Sequence, residues 1–165
     1  MTETIYSKIF EFSLSSENLE KILALMKEKR PFDKNKELPE KFYLVYCNCS
    51  DRSLEDNPCD GYTSEFYPGI IFVDPDGRAD TNSVVSHELV HILQDYKYCV
   101  FYDEFDESYK QRWFEEMAFS LEKNVLEIIK NVQFIELDVE SGYIEDFLLE
   151  KFICKDFPEE MEEFN

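Results

Sequence analysis

The chain of 165 residues has no long apolar run; nothing approaches the roughly 18 consecutive apolar residues that a membrane span needs. It also lacks a charged start followed by an apolar stretch, so no secretory leader is expected. These two absences make a soluble, cytoplasmic protein without a membrane partner the expectation. Basic residues are scarce, with 17 Lys and Arg against 37 Asp and Glu and a formal net charge of −20. A surface of that sign repels phosphate backbones, which excludes ordinary nucleic-acid binding. It suits a basic partner, or it simply keeps the protein dispersed. The cysteines number five, an odd count without secretory context, so no disulfide framework is implied. Cys47, Cys49 and Cys59 cluster all the same. With Cys99 they form either a second, structural metal set of unfamiliar spacing or a group of reduced thiols. Internal repeats are absent. A single domain over 1–157 with an acidic tail over 158–165 is expected, its core rich in the aromatics that make up 16% of the chain.

Histidine occurs only twice, and both copies fall in one pattern, His87-Glu88-Leu89-Val90-His91. Fewer than about one in a hundred shufflings of such a chain would produce it. Histidines four apart lie on one face of a helix, one turn from each other. Their nitrogens can then hold one Zn²⁺ at about 2.0–2.1 Å each. Glu88 stands beside that position and can take a proton from a metal-activated water. The flanking residues Val84, Val85, Leu89, Ile92 and Leu93 describe a packed helix over about 83–97. Thr81, Asn82 and Ser83 are its candidate N-caps.

The other elements follow from the same patterning. A short strand is expected over 4–13. Leu19, Ile22, Leu23, Leu25 and Met26 predict a helix from Ser16, its candidate N-cap, to Lys29, with Pro31 closing it. Residues 31–40 are a charged connector, 41–48 a buried strand, 50–64 a polar loop near the site and 65–74 a second strand. Pro75-Asp76-Gly77 signals a turn. After a connector from Tyr98, a long helix over about 107–132 presents Trp113, Phe114, Met117, Leu121, Leu126 and Ile129 to the core. A turn near Ser141-Gly142 precedes a short amphipathic helix with Ile144, Phe147, Leu148 and Phe152.

With no third histidine, the third zinc ligand must be a carboxylate or a thiol. The long helix carries Glu115-Glu116-Met117-Ala118. Together with the H-E-x-x-H pattern, this E-x-x-A element resembles the zincin metallopeptidases of the gluzincin-like group, over roughly residues 65–125. The resemblance implies an α+β, zincin-like domain in which a small mixed sheet packs on the H-E-x-x-H helix, beside a second helix bearing the glutamate. It implies Zn²⁺ held by His87, His91 and Glu115, with Glu88 as general base and Ala118 as the small residue that lets the helices approach. Glu116 is the rival ligand. Glu122, Gln94 and Asp95 are candidates to orient the site. The oxyanion partner, usually His, Tyr or Arg in such enzymes, is left among Tyr109, Arg112 and Tyr143. The function implied is zinc-dependent hydrolysis of a protein or peptide substrate, which would pair along the edge of the strand at 69–74. The alternative is an inactive acidic interaction protein on the same scaffold.

Overall fold

In a computed structural model, the structure describes residues 4–52, 60–64, 67–99 and 112–153. The expected tail at 158–165, the connector beyond Cys99 and the first residues of the expected long helix, 107–111, lie outside them.

The described chain is mixed α+β, with a five-stranded sheet in the order β3-β4-β2-β1-β5. Strand β1 (Tyr6–Phe12) pairs antiparallel with β2 (Phe42–Cys47), and β2 pairs parallel with β4 (Ile70–Val73). The short β3 (Gly61–Thr63) and β5 (Ile135–Glu136) add antiparallel edges at β4 and β1. β2 runs Phe-Tyr-Leu-Val-Tyr-Cys with no polar alternation because both faces of the sheet are covered. Phe42, Leu44, Ile71 and Val73 point to one core, and Tyr43, Val45, Ile70 and Phe72 to another.

The first core is roofed by three helices: α1 (Ser16–Lys29), α3 (Thr81–Lys97) and α4 (Arg112–Ile129). A one-turn helix, α2 (Cys49–Arg52), follows β2. The second core is closed by a 3₁₀ turn (Ser141–Tyr143), the five-residue α5 (Ile144–Leu148) and a π turn (Leu149–Ile153), with Ile144 and Leu148 packed on the sheet. No helix among the described residues is long and apolar enough to cross a membrane.

Several boundaries differ from expectation, each for a local reason. α1 is capped by Ser15, whose hydroxyl accepts from the Asn18 amide at 3.1 Å, so Ser16 is the first helical residue and not the cap. α3 is capped by Asp80, whose carboxylate accepts from the Ser83 amide at 3.2 Å; Thr81, Asn82 and Ser83 already lie inside the helix. The strand expected over 65–74 begins only at Ile70, because Pro68-Gly69 forms a turn in which Gly69 takes a φ of +80°. Within the expected polar loop, residues 61–63 are a strand. They borrow their hydrogen-bond partners from β4, so β4 is interior and β3 is the edge.

Two aspartates deliver the chain from β4 to α3. The buried Asp74 accepts from the Asp76 amide at 2.9 Å and from both the amide and the hydroxyl of Ser50. Asp60 accepts from the amides of Arg78 and Ala79, each at 3.1 Å, while its own carbonyl receives the Asp74 amide at 2.8 Å. These bonds satisfy the backbone of the expected turn and set where α3 starts. β3 then crosses close to α3: a side chain at Gly61 would collide with Val84 and press on the Phe72 carbonyl.

Candidate metal centre

α3 and α4 make the most extensive contact of any helix pair among the described residues, and Ala118 is fully buried in the core that both helices roof. Their approach brings three side chains to one point. His87 Nε2 lies 3.1 Å from His91 Nε2. The Glu115 carboxylate stands 3.1 Å from His87 Nε2 through Oε2 and 2.9 Å from His91 Nε2 through Oε1. These separations are near the ~3.4 Å expected between donor atoms around a tetrahedral ion with bonds of 2.0–2.1 Å. The group can therefore hold a metal ion, and among the described residues it is the one cluster of this kind. Glu116, one residue on and thus about 100° around the helix, is not in it.

The tautomer of His91 follows from its neighbours. Gln94 is fully buried and donates its amide N–H to the Phe114 carbonyl at 2.9 Å, so its amide oxygen faces the ring. That oxygen accepts from His91 Nδ1 at 2.7 Å. Nδ1 therefore carries a proton, and Nε2 is the nitrogen turned toward His87 and Glu115. Gln94 thus orients His91 and ties α3 to the first turn of α4. Phe114 also stacks on the His91 ring, with centroids 5.7 Å apart, and Phe119 covers His87 at 4.4 Å. His87 Nδ1 is buried with no hydrogen-bond partner among the described residues.

Charge and burial divide the acidic groups. Glu88 is 9% exposed, and burial raises its pKa, with the two imidazoles pulling the other way. Glu115 is held well below the usual carboxylate range by its hydrogen bonds to His87 and His91. Burial pulls the His91 pKa down, but Glu115, Glu88 and Gln94 outweigh it and leave it raised. The arrangement is two imidazole nitrogens and one carboxylate oxygen at a single point, with a buried carboxyl beside them.

Glu88, His91 and Glu115 line a cleft of about 840 Å³, whose opposite wall is β3 and the turn at 67–69. Tyr62, Tyr67 and Tyr96 also line it, and sequence reasoning had singled out none of them. No local pattern marks them, since they come together only when β3 and α3 pack. Of the expected oxyanion partners, Tyr143 belongs to the 3₁₀ turn on the far side of the sheet and is 62% exposed, outside the cleft. Tyr109 and the side chain of Arg112 lie outside the described residues. Glu122, two turns along α4, does not line the cleft; Asp95 lines it and is exposed. Cys47 and Cys49 are buried in the second core and Cys99 is exposed at the end of α3, so these three do not converge on a metal; Cys59 lies outside the described residues.

No protein-family model, curated protein or solved structure matches the chain.

Proposed function

We propose that this chain is a zinc-dependent metallopeptidase on a zincin-like scaffold, with Glu88 as its general base. The observation that carries the reading is the convergence of His87, His91 and Glu115 next to a buried carboxyl, in a cleft walled by β3 and the turn at 67–69. Two imidazoles and one carboxylate are a donor set suited to catalytic zinc, which keeps a further position for water or substrate. Bound there, zinc would supply Lewis acidity, making water a nucleophile near neutral pH and polarising a carbonyl.

The remaining steps belong to the chain's own groups. Glu88 lies one residue from His87, and no described residue hydrogen-bonds to its carboxylate, so its oxygens are available to a water or substrate. Its raised pKa lets it accept the water's proton and hold it until the leaving amine takes it. A substrate does not pair with β4, as the sequence suggests, because β4 already has a partner on each side; it lies in the cleft between β3 and the metal ligands. Gln94 and the two phenylalanines hold the imidazoles in place through turnover.

Purified protein should carry about one zinc and cleave members of a mixed peptide pool. Glu88→Gln should keep the metal and lose about 10²- to 10⁴-fold in rate. Undiminished cleavage by that variant would remove Glu88 from the mechanism. If the zinc-loaded wild type cleaves nothing, the reading of an inactive acidic interaction protein takes its place.

A further inference from the structure

The metal centre occupies only one end of the cleft. At the other end stand Lys34 and Lys36, the two lysines that line it. They come from the connector after α1, and that connector is pinned. The amides of Asp33 and Lys34 donate to the Lys97 carbonyl at 2.9 and 3.2 Å, and the Lys36 amide donates to the Tyr96 carbonyl at 3.1 Å. These bonds satisfy carbonyls that the C-terminus of α3 would otherwise leave open. Backbone placement of the two lysines is therefore set by the same helix that carries the histidines.

Both ammonium groups are exposed, and neither pairs with a carboxylate among the described residues. Lys36 lies over the Tyr96 ring at 5.2 Å. Asp95 of α3 also lines the cleft, so among the described lining residues outside the metal centre two are cationic and one is anionic. In a chain of net charge −20 this is a local reversal of sign. At physiological salt, charges farther away than about 8 Å are largely screened, so the charges of the lining itself weigh most on a group bound there.

The spacing says where such a group would sit on a substrate. Tyr96 is five residues beyond His91, about 8 Å along the helix axis. An extended peptide advances about 3.3 Å per residue. We infer that Lys34 and Lys36 form a subsite for a carboxylate carried two or three residues from the bond held at the metal centre. That carboxylate is either an Asp or Glu side chain or the free C-terminus of a short peptide. The inference rests on the peptide-cleft reading above and adds the substrate class, acidic peptides, which the overall charge of the protein would not suggest.

The test is binding to zinc-loaded Glu88→Gln protein, read by fluorescence anisotropy. Labelled hexapeptides carry Glu or Gln at successive positions, each with a free or an amidated C-terminus. Peptides with the carboxylate correctly spaced should bind about three- to tenfold tighter than their uncharged counterparts, as two partly exposed ion pairs allow, and less so at high salt. Preference among the Glu amides assigns the subsite to a side chain; preference among the Gln free acids assigns it to a C-terminus. Reversing both charges, Lys34→Glu with Lys36→Glu, should transfer the preference to Lys-containing peptides, with zinc content checking that the variant folds. Equal affinity for charged and uncharged peptides, no binding at all, or a preference that survives the reversal would overturn the subsite. Hydrolysis by the wild type is scored separately. No cleavage with the preference intact would sink the peptidase and leave the subsite, whereas cleavage without preference would sink only the subsite.

Discussion

Helices α1 and α3 roof the same face of the sheet, are both capped by a side-chain oxygen, and bury different things. α1 buries Ile22 and Met26 and turns its charged residues outward. α3 buries ten residues, of which Ser86, Glu88, Gln94 and Lys97 are polar. Only Asp74, among the described residues, is a buried polar side chain elsewhere. Burying polar groups costs stability unless each is bonded, so their concentration on one helix needs a reason. For three of them the bonds are present: Ser86 donates to the Asn82 carbonyl at 2.8 Å, Lys97 to Asn35 at 2.5 Å, and Gln94 spans His91 and Phe114. Glu88 is the exception, a carboxylate buried beside the metal ligands without a hydrogen bond from the described residues. A helix serving packing alone looks like α1; the departures in α3 mark the site.

That contrast can be broken by substitution, beginning with the largest effect. Glu115→Ala should weaken zinc binding by about 10²- to 10³-fold, a ligand's share of the free energy of such sites, while Glu116→Ala should leave it within a few-fold. Competition titration with a chelator measures both, and the opposite ranking would reassign the third ligand. Gln94→Ala should cost about 10- to 100-fold in zinc affinity, because the bond that orients His91 is lost. If that variant loses stability but binds zinc as before, Gln94 belongs with the packing residues and the contrast between the helices narrows.

Acidity should separate the metal-free from the metal-loaded protein. The His91 pKa is raised in the folded chain, so its contribution to stability is fully present below the unfolded imidazole value and is lost as pH rises through the folded value. Zinc requires the unprotonated ring, so its affinity should fall by up to about tenfold per pH unit below that value. Melting temperatures between about pH 6 and 8 should therefore decline with pH in chelator, through this group, and climb with pH in zinc. Parallel slopes would mean that His91 does not take part in metal binding.

The smallest effect tests the junction of the two helices. Tyr98, just past α3, donates its hydroxyl to the Arg30 carbonyl at 2.7 Å and to the Met26 carbonyl at 3.2 Å, at the end of α1. Burial pushes its phenol up to about 12, so it remains a donor at any working pH. Tyr98→Phe should cost about 1 kcal/mol by urea denaturation, with zinc affinity unchanged. A matching loss of zinc affinity would show that α1 supports the site through this bond.

Much of this was legible residue by residue. Apolar spacing located α1, β2, α3 and the described part of the long helix, because each carries enough side chains of one kind to declare a period. β3 and β5 were not legible: Gly61-Tyr62-Thr63 and Ile135-Glu136 are too short for a pattern and are strands only because β4 and β1 offer open edges. The caps fell one residue earlier than expected at both helices, since neighbouring polar residues compete for the same role. Lys34 and Lys36 read as part of a charged connector, and only their anchoring to the end of α3 turns them toward the cleft.

By itself the sequence determined that two imidazoles share one helical face and that no third histidine exists, because the helical repeat and the composition are local properties. Which carboxylate joins them was a tertiary decision. Glu115 and Glu116 are chemically identical and adjacent, and a rotation of about 100° between them settles which one the packing of α4 on α3 turns toward the histidines.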